Sequence, residues 1–135
     1  MSTITAGARY CIVFSALLSF ALSGCSKKVE RSQVLGDYQT EHQNGIETIE
    51  LRADGTYTQH FKQKDGADTI ISDGWEFEPY NGEPKVALHN FRAHFPQSPE
   101  KGADITLLGI EKNWGRLRLY LSYDHDEYYS QATAK

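Results

Sequence analysis

Glycine-containing turn signals recur roughly every 8–12 residues from Val34 onward, and this spacing constrains the fold more than any other feature. Between the turns, apolar and polar residues alternate, which is the period of a β-strand with one buried face. No segment keeps a helical period, so the domain is predicted to be almost wholly β. The turn signals are Asn44-Gly45, Asp54-Gly55, Asp65-Gly66, Asn81-Gly82 and Asn113-Trp114-Gly115.

The alternating runs predict about eight short strands. Tight turns make neighbouring strands antiparallel, so the simplest topology is an up-and-down meander, and eight strands can close into a small barrel. A half-open barrel or a two-sheet sandwich is the alternative, because pairing of the first and last strands does not follow from the pattern. The expected strands are Leu35–Glu41, Glu47–Arg52, Thr56–Lys62, Thr69–Ser72 with Trp75–Glu78, Lys85–Phe91, Asp104–Lys112, Arg116–Tyr123 and Glu127–Gln131.

Two interruptions are expected. Asp73-Gly74 predicts a bulge or sharp bend within one strand. Arg92 to Ala103 contains Pro96 and Pro99 and predicts the longest loop, since proline cannot serve a central strand. The alternation places one set of aromatic side chains in the core: Tyr57, Phe61, Trp75, Phe77 and Tyr123.

The first 24 residues have the character of a cleaved secretory signal. Arg9 is their only charged side chain, and the apolar run Cys11–Leu22 is shorter than the roughly 20 residues that a membrane-spanning helix needs. This predicts three parts: a signal peptide at residues 1–24, a polar tether at 25–33 and a β domain at 34–135.

Leu22-Ser23-Gly24-Cys25, at the end of that run, resembles the lipobox of bacterial lipoproteins. The resemblance implies cleavage between Gly24 and Cys25, a diacylglycerol on the Cys25 sulfur and acylation of the new amine. Ser26 stands where lipoproteins kept in the inner membrane usually have Asp, so the resemblance implies the outer membrane, facing the periplasm. The alternative is an ordinary secretory signal with a chance cysteine near the cut.

The charge and the cysteine content limit the kinds of protein that this chain can be. The chain has 14 basic and 18 acidic residues and a net charge of −4, and loss of Arg9 with the leader makes it more negative. Such a mildly acidic domain lacks the electrostatic footprint of a nucleic-acid-binding protein. Cys11 leaves with the leader and Cys25 would be acylated, so no disulfide is expected and the fold must rest on its core.

Leu35-Gly36-Asp37-Tyr38 resembles the opening of lipocalin-like barrels. The run from Leu51 to Tyr57, followed by Gly74-Trp75, is similar to a repeated phrase of small lipocalin-like bacterial lipoproteins. The likeness implies a fold and says little about function. Copper-responsive envelope lipoproteins of related shape carry a Cys-x-x-Cys pair, which the mature chain would lack.

No motif in the sequence points to a catalytic residue, a metal or a cofactor. The nucleophile elbow Gly-x-Ser-x-Gly is missing, and the histidines show neither His-x-His nor His-Glu-x-x-His spacing. Glu76 and Glu78 share a strand face, which solvated alternation explains. The histidines that could serve as metal ligands are His60, His89, His94 and His125, and the last of these lies within Asp124–Glu127.

The remaining aromatic residues fall at expected strand ends and loops, where a barrel mouth or partner surface would lie. The sequence therefore predicts a non-catalytic binding or accessory module, held to a membrane through the lipid on Cys25 and contacting an envelope protein. A carrier of a small apolar ligand is the alternative, and a metal-dependent hydrolase is a third. The residues of this predicted ligand or partner surface are Tyr80, Phe91, Phe95, Trp114, Tyr128 and Tyr129.

Overall fold

The computed structural model describes residues 28–95 and 104–132. Within them the chain forms one 3-10 helix, η1, and eight strands, so the predicted all-β class is confirmed. None of the helical structure in these residues is long and apolar enough to cross a membrane. The elements are η1 (Arg31–Val34), β1 (Gly36–His42), β2 (Gly45–Leu51), β3 (Thr56–Gln63), β4 (Asp68–Tyr80), β5 (Glu83–His89), β6 (Ile105–Asn113), β7 (Arg116–Ser122) and β8 (Glu127–Gln131).

The strands form one closed antiparallel barrel in which each strand pairs with the next in the sequence. The barrel closes because β8 also pairs with β1, through Tyr38 with Gln131 and Gln39 with Ser130. The predicted meander and small lipocalin-like barrel are therefore confirmed, and the half-open barrel and the sandwich are excluded. Closure pairs the backbone groups that an edge strand would leave exposed.

The long strand β4 changes partner in its middle. Residues up to Gly74 pair with β3, and residues from Trp75 onward pair with β5. The break expected at Asp73-Gly74 is thus a change of partner inside one continuous strand. Trp75 holds β4 against the β2–β3 connection at this point. Its backbone N–H donates to Gly55 O at 2.8 Å, and its indole Nε1 donates to Arg52 O at 2.8 Å.

Antiparallel strands put successive connections at opposite ends of the barrel. The η1 end carries η1 and the connections at 52–55, 81–82 and 114–115. The far end carries the connections at 43–44, 64–67 and 123–126. The segment 90–95 runs along β3 toward this end, since Asn90 Nδ2 donates to Asp73 Oδ2 and the His94 ring stacks on Phe61. Pro96 and Pro99 of the predicted long loop lie outside the described residues.

Large inward-facing side chains occupy the barrel. At the η1 end, Val34 is buried and accepts a hydrogen bond from the Tyr38 hydroxyl at 2.9 Å, while the Arg31 guanidinium lies 4.7 Å over the Trp75 ring. Residues 31–33, the last of the predicted tether, therefore pack on the barrel as part of η1. The buried cluster comprises Val34, Tyr38, Ile49, Leu51, Tyr57, Trp75, Val86, Leu88, Phe91, Phe95, Leu108, Leu117, Leu119 and Tyr129.

The hairpin at Asn44-Gly45 forms as expected, but for a different reason. Positive φ, which the sequence argument invoked, occurs at Asn81 and Gly82 and not at Asn44 or Gly45. Glycine is required at position 45 because the neighbouring strand β3 lies too close to leave room for a Cβ. A Cβ there would lie 2.9 Å from Phe61 Cε2 and would overlap the Lys62 carbonyl oxygen across the β2–β3 ladder.

Gly45→Ala is therefore expected to lower the free energy of unfolding by about 1–3 kcal/mol, because the Lys62 backbone cannot move without breaking strand pairing. Urea unfolding followed by circular dichroism measures this loss. Gln43→Ala, an exposed change two residues away, should leave the midpoint unchanged. Equal midpoints for both variants would contradict the close-approach argument.

Candidate functional site: an outer aromatic face

A β-bulge in β7 reverses which side chains point outward. Tyr120 pairs with Tyr128, but Ser122 pairs with Glu127, so Leu121 is an extra residue in β7. Since side chains alternate along a strand, one extra residue moves those after it to the opposite face. Tyr123, which the sequence placed in the core, is therefore 55% exposed on the outside, and that prediction is wrong.

Three tyrosine rings pack together on this outer surface. The rings of Tyr120 and Tyr123 stack with centroids 4.4 Å apart, and those of Tyr120 and Tyr128 lie 5.1 Å apart. Tyr123 lies flat over Gly109 of β6, where a Cβ would come within 2.9 Å of the ring. Glycine in the middle of β6 thus provides the room in which Tyr123 folds back over the sheet.

Cationic side chains flank the rings. The Arg118 guanidinium lies 4.5 Å over the Tyr128 ring and donates to the Tyr120 hydroxyl at 3.4 Å, a bond that raises the pKa of Arg118. Lys85 Nζ lies 5.9 Å over Tyr123. Lys85 Nζ also pairs with Glu83 Oε2 at 3.1 Å, and burial raises the pKa of the Tyr123 hydroxyl.

Tyr80 and Leu107 extend this patch toward β4 and β6, with 55% and 39% of their surfaces exposed. We call Tyr80, Leu107, Tyr120, Tyr123 and Tyr128 the aromatic face. An open pocket of about 320 Å³ lies within it, lined by members of the face and by Lys85. Apolar rings with hydroxyl and cationic groups at their edges are the composition typical of protein–protein contacts.

A second candidate is a polar cluster buried inside the far end. Glu47 is fully buried, and His42 Nε2 donates to Glu47 Oε2 at 2.7 Å. Gln59 Nε2 donates to Glu47 Oε1 and also to the Arg92 carbonyl at 2.6 Å, and Gln59 Oε1 accepts from Arg92 N at 3.3 Å. The cluster therefore ties the segment after β5 to the barrel interior.

Tyr129 completes this cluster. Burial, followed by the nearby carboxylates of Glu47 and Glu127, raises the pKa of Tyr129 well above its ordinary value. Phe95 contacts the Tyr129 ring at 5.3 Å and the His42 ring at 4.8 Å. Phe95 also lines an open pocket of about 530 Å³ at the far end, so it lies between that pocket and the buried carboxylates.

Titration to alkaline pH should report the ionisation of the buried tyrosine hydroxyls. Burial raises the pKa values of Tyr38, Tyr57 and Tyr129, whereas in the unfolded chain a tyrosine ionises near pH ~10. The resulting stability is fully present below pH ~10 and is lost as pH rises toward the folded-state pKa values. Phenolate absorbance from these residues is expected only together with unfolding.

Tyr129→Phe is the control for this titration. It should reduce the phenolate absorbance that appears on unfolding by the contribution of one tyrosine, while the other buried tyrosines still ionise together with unfolding. Gradual ionisation of all the buried phenols in a chain that stays folded by circular dichroism would contradict the expectation.

The histidines considered as metal ligands lie apart. His60 Nε2 lies 3.3 Å from Asp68 Oδ2 across β3 and β4, and His89 Nε2 lies 3.5 Å from Glu76 Oε1. His94 stacks on Phe61 at the far end, with centroids 4.3 Å apart. Residues 28–95 and 104–132 contain no group of three or more His, Cys, Asp or Glu side chains placed to hold a metal ion.

Glu76 and Glu78 are exposed neighbours on the outer surface of β4. A hydrogen bond between them, together with their mutual repulsion, raises the pKa of Glu78. Both lie on β4, Glu76 beside His89 of the neighbouring strand β5, and both are exposed, so the geometry is that of a solvated pair.

The predicted ligand or partner surface divides into two groups. Tyr80 and Trp114 are exposed, and Tyr128 is half-buried on the aromatic face; what they bind stays a prediction. Phe91, Phe95 and Tyr129 are buried in the core, because the chain after β5 runs toward the far end along β3 and β8 directs Tyr129 inward. Among them only Phe95 borders an open pocket, with 9% of its surface exposed. Gly24 and Cys25 lie outside the described residues.

Sequence reasoning missed that Tyr123 is a surface residue and that its ring covers Tyr120, which is only 6% exposed, and it missed the cations beside these rings. One signal was available: Gly109 interrupts an otherwise apolar strand, and glycine there indicates close approach of another group. The bulge itself has no signature in the residues around Leu121.

Comparison of the chain with protein-family models, curated proteins and solved structures gives no match.

Proposed function

We propose that this chain is a lipid-anchored lipoprotein of the bacterial cell envelope, whose barrel is a non-catalytic binding module in the periplasm. Leu22-Ser23-Gly24-Cys25, which resembles a lipobox, lies at the end of an uncharged apolar run and supports the lipid anchor. In it, Cys25 carries the lipid and residues 1–24 are removed. Ser26 after the lipidated cysteine favours the outer membrane.

The aromatic face carries the binding part of the proposal. Tyr123 and Tyr80 are each 55% exposed although apolar surface of this size is costly in water. Gly109 leaves the room that Tyr123 needs. The Arg118 guanidinium lies over the Tyr128 ring, and Lys85, which pairs with Glu83, lies over the Tyr123 ring. Tyrosine and arginine are among the residues enriched at the energetic hot spots of protein–protein interfaces, so we infer that this face contacts an envelope protein.

The barrel interior favours this surface over an internal ligand site. Its centre is occupied by large side chains, among them Tyr38, Tyr57 and Tyr129, each with no exposed surface. The two ends carry further buried residues, Val34 at the η1 end and Phe95 beside His42 at the far end. A carrier of a small apolar ligand would need a cavity of at least roughly 300 Å³ among these groups.

Intact-mass spectrometry of the protein purified from envelopes tests the anchor. The expected species begins at Cys25 and carries the mass of a diacylglycerol and an amide-linked acyl chain. Cys25→Ser is expected to shift the protein from the membrane fraction to the soluble fraction. A chain that starts at another residue, or that starts at Cys25 without fatty-acid mass, would overturn the lipoprotein assignment.

Envelope crosslinking followed by pull-down tests the face. Tyr123→Ser should reduce the recovery of a reproducible partner, while Ile70→Ser, which changes an exposed apolar residue on β4, should not. Equal recovery with both variants, or no reproducible partner with the native chain, would contradict the proposed contact. Metal analysis of the same preparation tests the hydrolase alternative.

A further inference from the structure

Trp114 stands at the tip of the β6–β7 hairpin in a conformation that tryptophan rarely adopts. Its φ is +50° and that of Gly115 is +82°, and 99% of its surface is exposed. The neighbouring hairpin at the same end uses Asn81, with φ of +50°, at the equivalent position, and asparagine is the residue that tolerates this conformation. Packing within the barrel therefore does not account for a tryptophan at this tip.

The hairpin lies beside the point where the chain leaves the barrel. Gln131 joins the two, because its Nε2 donates to Gln33 O of η1 at 3.4 Å and its Oε1 accepts from Leu117 N of β7 at 3.2 Å. From Arg31 back to Cys25 is six residues, which span at most about 20 Å when fully extended. A lipid on Cys25 would hold η1 within that distance of a bilayer, and the β6–β7 hairpin that carries Trp114 lies beside η1.

The surface around Trp114 has the charge that anionic headgroups require. The hairpin from Glu111 to Arg118 contains three basic residues and one acidic residue, a net charge of +2 in a chain whose total is −4. An open pocket of about 430 Å³ is lined by Trp114, Arg116 and Arg118 among others. Guanidinium groups bind phosphate oxygens well, and tryptophan is enriched at the headgroup level of membranes.

We propose that the η1 end of the barrel docks on the surface of an anionic phospholipid bilayer, with Trp114 inserted among the headgroups and Lys112 and Arg116 against their phosphates. This inference rests on the proposed lipid anchor, which supplies the nearness that a single tryptophan and two cations cannot supply alone.

The two tryptophans make a direct test possible. Trp75 is 2% exposed inside the barrel, whereas Trp114 is fully exposed, so bilayer contact should change the emission of Trp114 alone. The mature acylated protein is reconstituted into vesicles of phosphatidylcholine and phosphatidylglycerol with brominated acyl chains. We expect loss of Trp114 emission and a blue shift, and Trp114→Phe should abolish both while the emission of Trp75 persists.

Charge variants test the role of the phosphates. Lys112→Gln with Arg116→Gln should reduce the quenching, as should vesicles of phosphatidylcholine alone. The matched control is Lys62→Gln with Lys64→Gln, which removes the same charge from the far end and should change nothing. An equal reduction of the quenching by both double variants would overturn the proposal that the η1 end faces the bilayer.

Flotation separates failure of the anchor from failure of docking. A protein that stays behind when the vesicles float lacks the lipid, which overturns the anchor and this inference with it. A protein that floats with unquenched Trp114 overturns this inference alone. A Trp114 shift that depends on protein concentration without vesicles would assign the tip to a second copy of the chain and would likewise overturn bilayer docking.

Discussion

Trp75→Ala is expected to lower the free energy of unfolding by about 3–5 kcal/mol, which is a large part of the stability of a domain of this size. The indole is buried where β4 changes partner, and its Nε1 donates to Arg52 O at 2.8 Å. Its ring also supports the Arg31 guanidinium at 4.7 Å, so removal leaves a cavity and loosens η1 at the same time.

The matched control is Trp114→Ala, the same chemical change at an exposed position. It should alter stability by no more than about 0.5 kcal/mol. Urea unfolding followed by far-ultraviolet circular dichroism compares the two without depending on tryptophan emission. The loss in the free energy of unfolding caused by Trp75→Phe should lie between those of Trp75→Ala and Trp114→Ala, because phenylalanine keeps most of the apolar volume but cannot make the hydrogen bond. A Trp75→Ala midpoint equal to that of Trp114→Ala would contradict the role assigned to Trp75.

Glu47→Ala is expected to cost about 3–5 kcal/mol, because it removes one member of a buried pair and leaves its partners without a hydrogen-bond acceptor. His42 Nε2 donates to Glu47 at 2.7 Å, and Gln59 donates to the other carboxylate oxygen. Gln59 also binds the Arg92 carbonyl, so the loss should spread to the segment 90–95.

Glu41→Ala, an exposed change on β1, is the control and should have little effect. A double variant, His42→Ala with Glu47→Ala, tests the pairing. The two losses should sum to more than the loss in the double variant, since each single change already forfeits the shared bond. Additive losses would show that His42 and Glu47 stabilise the barrel independently.

Local chemistry was sufficient to predict the class of fold and nearly every strand. Alternation repeats every two residues, and glycine-containing pairs such as Asn81-Gly82 stop one strand and start the next. Tight hairpins then make each strand the partner of its predecessor. The meander follows from neighbours in the sequence, which is why it could be read without any structure.

The candidate site depended on contacts that local patterns do not contain. The extra residue Leu121 reverses the direction of Tyr123, and only pairing with β8 reveals it. Phe91 and Tyr129 are buried because the chain after β5 runs toward the far end along β3 and β8 directs Tyr129 inward. Gly45 is needed because Lys62, in another strand, lies against it.

The sequence by itself thus determined where strands begin and end, because turn chemistry and alternation act over a few residues. The tertiary structure alone decided closure of the barrel, the outward turn of Tyr123 and the burial of Glu47 beside His42. Each of these depends on residues from different strands meeting in space. No periodicity within a single strand specifies such a meeting.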